Sequence, residues 1–413
     1  MKYLVMLGDG MADYPCSSLE NRTPLEVANT PNMDRLAQNG TCGLVKTVPD
    51  GMVPESDTAN LAVMGYDPRV YSKGRSPLEA TSMGLTMTPS QTAFRCNLVT
   101  LTDNGEPYEE KTILDHSAGE ISTEEARELI QAVEQALGCE ERHFYTGISY
   151  RHCMLWDNAP GSQISERIYD FVRPHDVLGE PIAGHLPRGP VGDRYRELME
   201  KSFPVLSQHP VNLRRVAQGL APANSVWFWS PGKKPALESF TQRYGVKGTV
   251  VCAVDLIKGI GLCAGLQAPQ VPGATGGAVT DYAAKARAAV EAFDSGSDFV
   301  YIHVEAPDEC GHQGSLEHKI AAIEAIDSQI LGPVTQHLQQ TYGEYRVLLL
   351  PDHPTPICKR THTPEAVPFV LFDSRKSVPG VSAYCERCAA QTNLYLPDGC
   401  GLMPLLFERS EVQ

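Results

Sequence analysis

Three aspartates and three histidines sit where buried strands would release them: Asp9 in "LGDG", Asp308 and His312 in "EAPDECGH", Asp352 and His353 in "PDHP", and His362 in "RTHTPEAVPF". Mixed carboxylate and imidazole donors suit manganese or zinc better than calcium, which prefers all-oxygen cages. Six such donors exceed the needs of one tetrahedral site with an open position and are enough for two metals. Two cations about 4 Å apart would stabilise both the attacking and the leaving oxygen of a phosphoryl transfer. The nucleophile for that chemistry is Ser56 in "PESDTAN". A neutral serine hydroxyl is a poor nucleophile, and the flanking Glu55 and Asp57 make it harder to deprotonate. A metal bound at Ser56 would lower the hydroxyl pKa in spite of them.

These residues converge only if the elements before them align. "KYLVMLG", "DFVYIHV" and "YRVLLL" are continuous apolar runs of strand length, the pattern of strands buried in a parallel sheet. Ligands of open α/β sheets bind outside the carboxyl ends of the strands, so residues far apart in sequence would meet on one rim. A lone Asp after a strand is usually a turn former and a lone His usually a satisfied core or surface residue. The set of six, each at the same end of a strand or just after it, outweighs those readings. Asp308 and His312, four apart, would share one face of a helical turn. Asp352 and His353 are adjacent and can share a metal only if the chain turns there, which Pro351 and Pro354 favour.

Between the last two strands, "SLEHKIAAIEAIDSQILGPVTQHLQQ" carries apolar residues at helical spacing, so strand, helix and strand form a right-handed parallel crossover and the fold class is α/β. The middle differs. Residues 89–237 hold a strand "FRCNLVTL", a helix "STEEARELIQAVEQAL" opened by a Ser122–Glu125 capping box, the short strand "SYRHCMLW" and Pro/Gly-rich stretches. The expected architecture is a core domain of residues 1–88 and 238–413 with an inserted smaller α+β domain at 89–237. A chain of 413 residues with a net charge of -15 and no Lys/Arg stripe argues for two domains and against nucleic acid. The apolar run at the start is too short for a signal peptide or a membrane span, so a soluble cytoplasmic protein is expected. The 12 cysteines are scattered like reduced thiols, and the lone "CERC" has no second pair to make a metal site.

"GDGMADYP", "TPLEVANTPNMDRLAQNG", "SDTANLAVMGYDP", "GRSPLEATSMG", "HVEAPDECGH" and "PDHPTPICKRTHTPEAVPF" together resemble the archaeal-type cofactor-independent phosphoglycerate mutases of the alkaline phosphatase superfamily. The likeness runs over nearly the whole chain, including "DHSAGEIST", "GISYRH", "HPVNLRR" and "PANSVWFW" of the insert. It implies an alkaline-phosphatase-like core, mainly parallel and flanked by helices. It also implies interconversion of 3-phosphoglycerate and 2-phosphoglycerate without 2,3-bisphosphoglycerate, through a phosphoserine at Ser56. Asp9, Ser56, Asp352 and His353 would hold one divalent metal and Asp308, His312 and His362 the other, with manganese, zinc or cobalt all acceptable to the set.

Lys258 in "DLIKGIG" aligns with a family lysine near the transferring phosphoryl group. The insert would clamp the substrate through Arg151 and Arg214 or Arg215, whose forks suit carboxylate and phosphate, with Asp115 as general base and acid. One of the two adjacent arginines is expected only to pack or pair with an acid. Two departures, Asn60 where many mutases carry histidine and "DHSAG" in place of a more basic segment, are similar to a bacterial branch for which homoserine kinase activity has been proposed. The alternative is therefore a homoserine kinase-like phosphotransferase or a phosphatase on the same core, although no P-loop or kinase Gly-rich loop is present.

Overall fold

"KYLVMLG" forms the strand Lys2–Gly8, and its neighbours on either side are the two other continuous apolar runs, Phe299–Val304 and Tyr345–Leu350, both parallel to it. Buried on both faces, these strands have no polar face to present, which is why their sequences do not alternate. Leu7 pairs with both His303 and Leu350, so the three strands end at one level. The full sheet of seven strands runs Tyr395–Leu396, Thr41–Val45, Val367–Asp373, Tyr345–Leu350, Lys2–Gly8, Phe299–Val304, Gly248–Val251. Only the two pairings made by Val367–Asp373 are antiparallel. The sheet is thus mainly parallel and flanked by helices, as expected.

The computed structural model describes residues 1–72, 74–162, 171–376 and 378–408. The chain divides into two compact units, 1–72 with 236–413 and 73–235. The first crossing therefore falls some way before the residue 88/89 boundary read from the sequence. Helix Ser76–Ser82 belongs with the second unit because Glu79 pairs with Arg95 on strand Gln91–Leu101, and the Arg95 N–H donates to Ser76 Oγ at 2.9 Å.

In the first unit the crossover between Phe299–Val304 and Tyr345–Leu350 is longer than one helix. Helix Ala306–Gln313 ends at Gly314 in the left-handed conformation, and helix Leu316–Ala325 runs through a π-helical segment Ile326–Leu331 into helix Gly332–Thr341. The π segment turns the buried Asp327 toward helix Pro31–Gln38, where it accepts from the N–H groups of Asn32 (3.3 Å) and Met33 (2.7 Å). Those donors are among the unpaired first-turn groups of that helix, so the distortion is offset by a cap.

The second unit is built on a five-stranded sheet whose longest strand, Gln91–Leu101, pairs antiparallel with Ile113–Asp115, Arg151–Asp157 and Ser225–Gly232. Helices Thr123–Leu137 and Gly189–Ser207 cover its core of Phe94, Leu129, Tyr195, Trp227 and Phe228. The capping box at Ser122 is half made: Ser122 Oγ accepts from the Glu125 N–H at 3.2 Å, but the Glu125 carboxylate turns to Arg215 at 2.6 Å. Among the described residues no helix is long and apolar enough to cross a membrane.

Candidate functional site

The rim expected at the strand ends lies wholly within the first unit. Asp9 follows Lys2–Gly8 directly, its N–H bonded to Val304 O at 2.9 Å. Gly10 adopts φ 60°, and its N–H donates to Asp352 Oδ1 at 3.1 Å, so the first strand's turn is fastened to the last strand's turn. Beyond Leu350 the chain bends, and Asp352 and His353, both fully buried, face the same cluster instead of opposite faces of a strand. Asp308 and His312 stand one turn apart on helix Ala306–Gln313, with Asp308 Oδ2 to His312 Nε2 at 3.2 Å. His362 Nε2 approaches Asp308 Oδ1 at 3.3 Å, and the His353 and His362 rings stack at 4.0 Å.

Ligand-type atoms gather in three overlapping groups: Asp9, Asp352 and His353; Asp308, His353 and His362; Asp9, Glu305 and Asp308. His312 joins through His362, Nε2 to Nε2 at 2.9 Å. The structure thus brings together all six residues singled out from sequence. Ser56 is the first residue of helix Ser56–Val63, half-buried, with Oγ 3.4 Å from His353 Nε2. Free N–H groups at a helix N-terminus favour an anion, which suits a phosphoryl group held on that oxygen.

The electrostatics of the cluster are those of a cation site. Burial, and then the nearby Asp352, Asp308 and Glu305 carboxylates, push the Asp9 carboxyl well above its usual range, and its buried Oδ1 has no hydrogen-bond partner. Burial, and next Asp308, likewise raise Glu305 to about 8. Like charges this close are unfavourable without positive charge between them. The imidazoles are prepared for it: His312 Nδ1 lies 3.0 Å from Arg360 O and His362 Nδ1 2.7 Å from Pro54 O. Each Nδ1 must carry a proton to meet a carbonyl, which leaves Nε2 as the nitrogen that a cation beside Asp308 would take, the way metal-binding histidines are ordinarily oriented.

Glu305 and His303 were not singled out from the sequence. Both lie inside "HVEAPDECGH", yet a Glu or His after a strand signals nothing until its burial is known; His303 is fully buried with Nε2 3.1 Å from Asp9 Oδ2. Asn60, one turn beyond Ser56, donates to Ser56 O and Asp352 Oδ2, each at 2.9 Å, and accepts from Tyr301 at 2.6 Å. It therefore ties the serine's helix to a ligand carboxylate. Lys258 is nearly buried on helix Asp255–Cys263, which packs against helix Ser56–Val63; its ammonium donates to Gln270 Oε1 at 3.1 Å.

The candidates of the second unit separate clearly. Arg215 is buried and spent on structure, donating to Glu125, to Ala118 O at 2.8 Å and to Ala221 O at 2.9 Å. Arg214 is exposed and only loosely paired, 3.9 Å from Glu128. Arg151 is exposed, lies over the Tyr150 ring and has no carboxylate partner among the described residues. Asp115 is partly buried at the end of strand Ile113–Asp115. Burial alone would raise its pKa, but bonds from the Ser117 N–H, the Ser117 hydroxyl and the Gly119 N–H outweigh it and hold the carboxyl below its usual value. These three bonds tie the carboxylate to its own turn.

An α/β core with a serine at a helix start, facing a rim of carboxylates and imidazoles, defines the class as one built for phosphoryl chemistry. Residues 37–212 match the family described as 2,3-bisphosphoglycerate-independent phosphoglycerate mutase. A Geobacter sulfurreducens protein named "Probable 2,3-bisphosphoglycerate-independent phosphoglycerate mutase" is 47% identical over 99% of this chain and 100% of its own. A Methanothrix thermoacetophila protein of the same name, without the qualifier, is 46% identical over 98% and 99%. Among solved structures, a Pyrococcus horikoshii protein superposes with a TM-score of 0.81 at 29% identity, covering 100% of this chain and 98% of that one. The cofactor-independent phosphoglycerate mutase of Thermoplasma acidophilum gives 0.67 at 28%, covering 99% of both. The chain belongs to the 2,3-bisphosphoglycerate-independent phosphoglycerate mutase family.

Proposed function

We propose that this protein interconverts 3-phosphoglycerate and 2-phosphoglycerate through a phosphoserine at Ser56, with two divalent cations, manganese or zinc before cobalt, and no need of 2,3-bisphosphoglycerate. The observation that carries the reading is Ser56 Oγ at 3.4 Å from His353, beside a buried cluster of carboxylates and imidazoles in which Asp9 Oδ1 has no hydrogen-bond partner. The residues fit the cations. Asp9, Ser56, Asp352 and His353 would hold one, and Asp308, His312 and His362 the other. When bound, the cations would neutralise the carboxylates, ease loss of the serine proton and stabilise charge on the phosphoryl oxygens.

The chain's own groups do the rest. Ser56 Oγ attacks phosphorus, the bond to the glycerate 3-oxygen breaks, and that oxygen takes up a proton. The 2-hydroxyl then gives up a proton and attacks the phosphoserine, returning Ser56. Lys258 places a positive charge near the phosphoryl group from the helix behind Ser56. Arg151 is the substrate contact we assign to the second unit, with Arg214 as a weaker candidate. The reaction belongs to glycolysis and gluconeogenesis in the cytoplasm.

Arg151→Ala should raise KM roughly 10- to 100-fold, the loss of one charge-assisted contact, and leave thermal stability unchanged. Arg215→Ala should do the reverse, destabilising by roughly 2–4 kcal/mol because buried bonds are lost, with the upper end reduced by the partial exposure of Glu125. Kinetics and melting of both variants check this, and a KM effect for Arg215→Ala without loss of stability would contradict it.

The test of the function is to incubate metal-loaded protein with 3-phosphoglycerate, without bisphosphoglycerate, and to follow 2-phosphoglycerate by coupling to enolase. ATP with homoserine runs in parallel. Formation of 2-phosphoglycerate that stops on chelation is expected; phosphohomoserine or free phosphate alone would overturn the choice of acceptor.

A further inference from the structure

Thr355 lies two residues beyond His353, fully buried, and its hydroxyl touches candidate ligands of both cations. It donates to Asp308 Oδ1, and its oxygen lies 3.3 Å from His353 Nδ1. A threonine hydroxyl has one proton. An ionised carboxylate can only accept, so that proton goes to Asp308, and toward His353 the hydroxyl can only accept. His353 must then carry its ring proton on Nδ1. Its Nε2 is left as a bare lone pair, facing Ser56 Oγ at 3.4 Å and Asp9 Oδ1 and Asp352 Oδ2 at 3.5 Å each. For His312 and His362 a backbone carbonyl does this work; at His353 the Pro354 backbone also bonds the ring, and the Thr355 hydroxyl is the side-chain group that acts beside it.

The surroundings hold Thr355 in place. A Cβ on Gly10 would come within 2.5 Å of Thr355 Oγ1, and one on Gly311 within 2.7 Å of its Cγ2, so glycine at both positions lets the chain close around it. The ammonium of the fully buried Lys319 uses its three protons on Thr355 O (2.9 Å), Ala12 O (3.2 Å) and Asp13 Oδ2 (2.7 Å). Lys319 thereby ties the backbone at Thr355 to the turn that follows the first strand.

We propose that Thr355 is a positioning residue that orients His353 and Asp308 together and so couples the two halves of the metal centre. This rests on the metal-dependent reading above. Losing such an outer partner of a ligand typically weakens metal binding by about 10- to 100-fold.

The test has two readings. Mn²⁺ and Zn²⁺ affinities are measured by competition with a chelator for the wild type, Thr355→Val and Thr355→Ser; independently, 15N NMR of histidine-labelled metal-free wild type reports which His353 nitrogen is protonated. The expected results are a loss of about 10- to 100-fold in Thr355→Val, near-complete recovery in Thr355→Ser, and an Nδ1–H tautomer. Valine binding metal as tightly as wild type, equal losses in valine and serine variants, or an Nε2–H tautomer would each overturn the role of Thr355. If Thr355→Val does not fold, the tautomer and the serine variant still decide. A wild type that binds neither cation overturns the metal reading itself, a different result from tight binding indifferent to residue 355.

Discussion

Ser56→Ala should abolish turnover, by roughly 10⁴-fold or more, while the protein keeps its fold and most of its metal. The size of the effect follows from what Ser56 does in the proposed cycle, because both half-reactions pass through its oxygen. Ser56 is only half-buried, and its own backbone oxygen is held by Asn60 independently of Oγ. Removing the hydroxyl takes one contact from His353 Nε2, which keeps Asp9 Oδ1 and Asp352 Oδ2 at 3.5 Å each. Enolase-coupled rates and metal analysis of the same preparation check both halves. Substantial turnover in the alanine variant would exclude a phosphoserine at this position.

Asp9→Asn should have effects of opposite sign on the apo and the metal-loaded protein. In the apo protein Asp9 is buried against three other carboxylates, with an oxygen that has no hydrogen-bond partner. Removing its charge relieves that repulsion, so the apo variant should melt at or above the wild-type temperature. With metal the order reverses. A ligand that binds only the folded state stabilises by about 4 kcal/mol at a thousandfold excess over Kd, and the variant should lose most of that gain together with its activity. Melting curves with and without Mn²⁺ read this directly. An Asp9→Asn protein that is destabilised as apoprotein, yet gains as much from metal as the wild type, would refute the account of the cluster.

The parts of the fold legible in sequence were those where burial leaves no choice. Lys2–Gly8, Phe299–Val304 and Tyr345–Leu350 announce themselves because a strand covered on both faces must be apolar throughout, and Asp9, Asp308 and Asp352 stand out as aspartates within four residues of their ends. What was not legible depends on distant partners. Nothing local marks Arg215 as buried and Arg214 as exposed; the difference is made by Glu125, Ala118 and Ala221. The same arginine leaves the expected capping box half made, its bond to Glu125 standing where the Glu125 carboxylate would meet the Ser122 N–H. Residues 76–88 read as a tail of the core, but the Glu79–Arg95 pair carries their helix into the second unit. Thr355 escaped notice because a threonine between two prolines reads as a turn; its meaning lies in Asp308, 47 positions away.

The central claim is that the phosphoryl group rests on Ser56 during turnover. The most direct measurement is to quench metal-loaded protein with acid during steady-state conversion of 3-phosphoglycerate and to map phosphorylation by peptide mass spectrometry. The account predicts a phosphoryl group on the peptide containing Ser56, absent after chelation and absent in Ser56→Ala. Full turnover with no phosphoryl group on Ser56, or with one on a histidine of the cluster, would contradict it.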